Sequence, residues 1–149
     1  MGEIAARDPR QIVGYVARTT NAAEADPERA LLPDLWRRAA APGAFDQVRA
    51  RADDRLYAVL TDYESDHTGA YTQVVGVAVT SVDGMPEGLV AVRVPADANC
   101  YRIEARGPMP QALIGAWRSV WDDPGIDRAY TTDLEIHHDE GADIFLALR

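Results

Sequence analysis

Apolar residues recur along the chain with two different periods, and the switches between them mark the elements. Gln11-Ile12-Val13-Gly14-Tyr15-Val16-Ala17-Arg18 is rich in β-branched and aromatic residues and predicts a strand, ended by Thr19-Thr20-Asn21. Asp26-Pro27-Glu28 reads as a helix start, with Asp as N-cap and Pro at the first helical position. Leu31, Leu32, Leu35, Trp36 and Ala39 follow at helical spacing. Pro33 interrupts that stripe, which predicts one loose turn and a main helix restarting there, stopped by Pro42-Gly43. Residues 56–63 and 71–81 predict two strands joined by the polar, turn-prone loop 64–69. The second half repeats this order. Residues 89–95 are extended and 100–105 form a strand, and Gly107-Pro108-Met109-Pro110 opens a helix striped by Leu113, Ala116, Trp117, Val120 and Trp121. A hairpin of 128–136 with 144–148, around the loop 137–141, closes the chain.

The two halves also share short motifs. Thr61-Asp62-Tyr63-Glu64 matches Thr132-Asp133-Leu134-Glu135, and Gly69-Ala70 matches Gly141-Ala142. Repeated order and repeated motifs together predict an α+β fold: a tandem strand-helix-strand-strand duplication, with halves at about 10–81 and 89–149. Neither half covers its own sheet, so the two are expected to share one antiparallel sheet with both main helices on one face. The expected ligand site is a central pocket, in the groove between the halves. At 149 residues, all of this fits a single domain, 1–149.

Charge narrows the partners. Fifteen basic residues, every one of them Arg, stand against 24 acidic ones, for a formal net charge of −9 and a pI of about 4.7. Such a surface repels nucleic-acid phosphates and anionic membranes, and it attracts cations. Without lysine there is no Schiff-base chemistry and no P-loop. Cys100 is the lone cysteine, so neither an internal disulfide nor a cysteine-based zinc site is expected. The start carries no signal-peptide pattern, and the longest apolar run, Val74-Val75-Gly76-Val77-Ala78-Val79, is far too short to span a membrane. A cytoplasmic setting is the expectation.

Glu135 is the leading candidate for chemistry, on a predicted strand beside the boundary between the halves. A carboxylate walled by aromatic rings pairs well with a cationic ligand. Deprived of water, it also becomes a stronger base, suited to activating a water molecule. Alternation leaves its orientation open, because Tyr130, Thr132 and Leu134 are only moderately more apolar than Ala129, Thr131 and Asp133. Trp36 and Trp117 hold comparable places on the two helices, as core residues or as walls of the groove. Tyr15, Tyr71, Tyr101 and Tyr130 are further candidates for lining a wet pocket. His137-His138 does not promise a metal site, since adjacent strand residues point to opposite faces. Neither a metal nor a cofactor is expected.

The motifs resemble a known pattern. Gly14-Tyr15, Arg18-Thr19-Thr20-Asn21, Asp26-Pro27-Glu28 and Leu35-Trp36 are similar to the GyrI-like small-molecule-binding domains, the effector-binding domains of AraC-type activators. The likeness continues through Tyr57, Thr61 to Asp66, Thr68-Gly69, Tyr71-Thr72, Val75-Gly76-Val77, Pro86 to Leu89, Gly107 to Ala112 and Ala129 to Glu135. Within that family the chain looks most like the short stand-alone members, similar to integron cassette drug-binding proteins. The resemblance implies a central aromatic pocket around a buried Glu, whose counterpart here is Glu135, and hydrophobic cations as ligands. Some stand-alone relatives hydrolyse the cyclopropane ring of DNA-alkylating natural products. On that alternative, Glu135 would activate water, and a tyrosine hydroxyl, with Tyr71 the candidate, or a Trp N–H would steady the developing oxyanion. Ten residues before the first predicted strand are too few for a helix-turn-helix, so direct DNA contact is not expected. A separate regulator as partner remains a third reading, and the strand edges leave a homodimer open.

Overall fold

In chain order, residues 2–149, which this computed structural model describes, form β1 (Gly2–Arg7), β2 (Arg10–Thr19), α1 (Asn21–Glu24), α2 (Leu32–Ala40), β3 (Leu56–Thr61), β4 (Tyr71–Val79), β5 (Val90–Val94), β6 (Asp97–Arg106), α3 (Gln111–Trp121), β7 (Thr132–His138) and β8 (Gly141–Leu146). The strands join in one antiparallel sheet ordered β1-β6-β8-β7-β3-β4-β2-β5. The fold is α+β, as expected. Its inner strands read as mirror images, β6-β8-β7 against β3-β4-β2, meeting at a β3–β7 seam. The repeated Thr-Asp motif lies on that seam: Thr61 and Thr132 are register partners, with hydroxyl oxygens 3.2 Å apart.

Two short links shape the whole sheet. β1 lies at one end of the strand order, yet only Asp8-Pro9 separates it from β2, next to the other end. Likewise Pro95-Ala96 is all that joins β5, at the far end, to β6. A link of that length spans about 11 Å between strand ends. The sheet must therefore curl until its two ends meet. Arg7 closes the gap, donating from Nε to the Pro95 carbonyl at 3.0 Å and from Nη1 to the Thr132 carbonyl at 2.7 Å. The arms are exchanged: β1 precedes the first half but pairs with β6, and β5 precedes the second half but pairs with β2.

Curling buries both faces of the sheet. Inside the curl, Ile12, Tyr57, Val59, Val74, Val94, Cys100, Leu134 and Phe145 form one apolar cluster. On the other face, Val13, Ala58, Leu60, Val75, Val77, Ile103 and Ile144 pack beneath Leu35 and Ala39 of α2 and Trp117 and Val120 of α3. This explains the unbroken apolar run from Val74 to Val79: β4 alternates between two cores rather than between core and water.

Four expectations need correction. β1 was not anticipated; Glu3 and Ile4 are exposed there, and the strand is held by backbone pairing to β6. The chain becomes helical before Asp26, in the single turn of α1, because the Thr20 hydroxyl accepts from the Ala23 amide as N-cap. Asp26-Pro27-Glu28 is a turn, while α2 restarts beside Pro33 as its interruption predicts. Finally, His137 and His138 belong to β7, leaving only Asp139-Glu140 between β7 and β8, and residues 128–131 precede that strand.

The N-terminus of α2 takes its cap from α1. Glu24 accepts from the Leu31 amide at 2.9 Å, the Leu32 amide at 3.0 Å and the Thr19 hydroxyl at 2.6 Å. A carboxylate on two helix-terminal amides satisfies orphan donors and complements the helix dipole. Glu24→Ala should therefore cost about 1–2 kcal/mol of unfolding free energy in a urea titration, and an unchanged midpoint would contradict the cap.

Candidate functional site

Where the helices rest decides which strands lie between them. α2 packs on β2 and β4, and α3 packs on β6 and β8. The seam strands β3 and β7 are thus left as the floor between them. Along β7, Leu134 and Ile136 enter the inner core, so Asp133, Glu135 and His137 face the helices. Glu135 is 3% exposed, beside Ala58 on β3 and Ile144 on β8.

Its carboxylate is gripped at both oxygens. The Trp117 indole Nε1 donates to Oε2 at 2.7 Å, and His137 Nε2 lies 2.8 Å from Oε1. The Trp36 ring packs on the His137 ring, centroids 4.5 Å apart. One tryptophan thus bonds the acid directly, and the other reaches it through His137. Tyr71 is buried nearby; burial raises its pKa, and the charges of Glu24 and Glu135 raise it further, so the phenol stays protonated.

A second polar cluster adjoins the first. Asp133 is wholly buried, and its Oδ1 accepts from the Ala147 amide at 2.8 Å. Its Oδ2 accepts from the Tyr63 hydroxyl at 2.5 Å and from Arg128 Nη2 at 2.8 Å. Burial opposes the Arg128 charge, but Asp133 outweighs it and lifts the Arg128 pKa. Burial, and then the Asp133 charge, push the Tyr63 phenol well above its ordinary value. The guanidinium lies 4.4 Å from the Tyr130 ring centroid and 5.6 Å from that of Trp117, so Trp117 touches both clusters.

Of the residues singled out in the sequence, Trp117 therefore bonds to Glu135, Trp36 packs on the His137 that does the same, Tyr71 senses the Glu135 charge, and Tyr130 belongs to the adjoining cluster. Tyr15 and Tyr101 make their contacts elsewhere. Tyr15 packs on Phe45 and under the Arg38 guanidinium, lining an open hollow of about 380 Å³ with Asp46, Glu87 and Leu89. The Tyr101 hydroxyl accepts from the Gly2 amide at 3.2 Å. The sequence did not mark His137, Asp133, Tyr63 and Arg128 as partners in this site. The spacing Asp133, Glu135, His137 was the available signal, three polar residues on one face of an otherwise apolar strand. Arg128 carried no such signal. Among the described residues, no group of three His, Cys, Asp or Glu side chains is placed to hold a metal, and no helix is long and apolar enough to cross a membrane.

Comparison with known proteins places this geometry. The model of the Cass2 family, described as integron-associated effector binding protein, matches residues 3–148, and the chain belongs to that family. An integron cassette protein from Vibrio cholerae is 32% identical and superposes with a TM-score of 0.82, covering 99% of this chain and 95% of that one. The structure of SAV2435 bound to tetraphenylphosphonium shares the fold at a TM-score of 0.76 and 13% identity, covering 100% and 94% of the two chains. YobU of Bacillus subtilis (strain 168), described as a candidate transcriptional regulator, is 28% identical over 91% of this chain and 85% of its own length. The chain is thus an effector-binding, small-molecule-binding domain, and the resemblance drawn from its motifs holds.

Proposed function

We propose that this effector-binding protein captures hydrophobic organic cations in the groove between α2 and α3, with Glu135 as the counter-charge. The observation that carries the reading is a contrast between two buried acids on one strand. Asp133 is neutralised by Arg128, whereas Glu135 is 3% exposed with no Arg beside it and only an indole and an imidazole on its oxygens. A buried carboxylate without a fixed cation is costly unless a partner neutralises it. A bound cation supplies that charge, and Trp36, Trp117 and Tyr71 offer ring faces to the rest of the ligand. Tetraphenylphosphonium, the ligand of the structural neighbour SAV2435, has this chemistry. Drug binding and effector sensing are both served by such a groove.

Calorimetry with tetraphenylphosphonium and with neutral triphenylphosphine oxide tests the reading. Glu135→Gln is expected to weaken the phosphonium by about 10–100-fold while leaving the phosphine oxide within about threefold. Equal losses for both ligands would show a packing role for Glu135 and end the counter-charge reading.

A second reading is favoured by Tyr71, a protonated phenol beside the same acid. Glu135 would take a proton from water attacking an activated cyclopropane carbon; the strained carbon–carbon bond breaks, its electron pair passes through the conjugated system to the carbonyl oxygen, and Tyr71 protonates that oxygen. Ring-opened product from a cyclopropane-bearing alkylator, lost in Glu135→Gln, would select this hydrolase over simple capture. A third reading has a separate transcription regulator receive the occupancy of the groove; the regulator-like relative YobU supports it.

A further inference from the structure

Arg128 is a buried group whose hydrogen bonding is incomplete. Its side chain is 5% exposed, and Nη2 serves Asp133 at 2.8 Å and Tyr63 at 3.3 Å. Its Nε–H is the single buried side-chain donor or acceptor without a hydrogen-bond partner among the described residues. Buried polar atoms are nearly always paired, so an orphan donor calls for an acceptor from outside the chain. A second observation falls at the same place. Tyr130 adopts φ of 55°, a left-handed conformation that a bulky side chain takes only under constraint. Its ring lies 4.4 Å from the guanidinium and 5.7 Å from the Tyr63 ring. Backbone strain of this kind persists where the surroundings enforce it, and it gathers at ligand sites.

The position relative to Glu135 matters as much. Asp133, which anchors Arg128, lies two residues before Glu135 on the same face of β7, a separation of about 7 Å. Trp117 spans the gap, donating to Glu135 while its ring lies 5.6 Å from the guanidinium. A ligand seated over Glu135 would thus meet a negative pole and, one side chain away, a donor pole.

We propose that the Arg128 Nε–H is a second recognition point, taking a hydrogen-bond acceptor oxygen of the ligand, so that the preferred ligands are cations carrying a carbonyl, ether or similar oxygen about 7–10 Å from the charge. The inference rests on the α2–α3 groove being the ligand site and adds a specificity that the counter-charge reading does not contain. Two matched probes test it: (4-acetylphenyl)triphenylphosphonium, which carries the acceptor, and (4-isopropylphenyl)triphenylphosphonium, which has the same shape without it. The acetyl compound should bind about fivefold or more tightly, and Arg128→Lys should abolish that preference. Glu135→Gln should weaken both probes and leave their ratio intact. Equal affinities in the wild-type protein would overturn the proposal.

A second readout does not depend on the variant folding. The Arg128 side-chain Nε–H resonance of the ¹⁵N-labelled wild-type protein should shift with the acetyl probe and stay in place with the isopropyl probe. If neither phosphonium binds, the counter-charge reading fails by itself. Triphenylphosphine oxide, a neutral acceptor, then decides the donor pole alone: a shifted Nε–H sustains it, and an unmoved one overturns it.

Discussion

Asp133→Ala is expected to lower the unfolding free energy by about 3–5 kcal/mol, the largest loss anticipated for a single side chain here. Asp133 is wholly buried and holds three groups at once, the Ala147 amide, the Tyr63 hydroxyl and the Arg128 guanidinium. Removing the carboxylate leaves a buried cation and a buried amide without acceptors, and each then bears its full desolvation penalty. Asp133→Asn keeps the shape but not the charge, so it should lose nearly as much, because Arg128 is still unpaired. Urea titration at neutral pH measures both. A loss under about 1 kcal/mol for either variant would mean that Arg128 finds water once the carboxylate is gone, and that the Asp133 cluster is wetter than its burial indicates.

Gly76→Ala should be nearly as damaging, by about 3 kcal/mol or more. Gly76 on β4 faces Gly14 on β2, directly across the ladder. A Cβ built at Gly76 would lie 1.9 Å from the Val13 carbonyl oxygen, and one at Gly14 would lie 2.1 Å from the Val75 carbonyl oxygen. Both neighbours are backbone, so neither can rotate aside. The two strands would have to separate where the curl of the sheet brings them together. Gly115 is the control: it lies in α3 with open space around its Cα, and there Ala should stabilise by about 0.5–1 kcal/mol. Thermal or urea unfolding of the two variants should therefore move in opposite directions. Movement in the same direction would refute the close-approach argument.

Legibility in the sequence followed the local physics. The α2 stripe, the restart beside Pro33 and the strands around Ile12–Val16 and Val74–Val79 could be read because period and punctuation agreed. β1 could not be. Its residues Gly2, Glu3, Ile4, Ala5 and Ala6 offer little to a core, and the strand exists because β6 presents an unpaired backbone edge to it. The orientation of Glu135 was hidden for a different reason. Alternation shows a buried face only when the opposite face meets water, and the curl buries Leu134 and Ile136 inside while the helices bury Asp133 and Glu135 outside. A strand buried on both sides shows no contrast between its two sets of side chains. The repeated Thr61-Asp62 and Thr132-Asp133 motif, a sign of duplication in the sequence, lies at the seam, where those threonines meet. The pairing His137-His138 in the sequence hides the pairing that matters, because the neighbour of His137 on the face of the strand is Glu135. Arg128 and Tyr63 approach Asp133 from irregular segments, and no local rule places them there.

A crystal structure grown with tetraphenylphosphonium tests the central claim most directly. The account predicts a phosphonium centre between α2 and α3, with phenyl groups against Trp36 and Trp117 and the Glu135 carboxylate turned towards the charge within about 6 Å. A cation held instead in the hollow beside Tyr15 and Glu87, with Glu135 still sealed beneath Trp117 and His137, would contradict it.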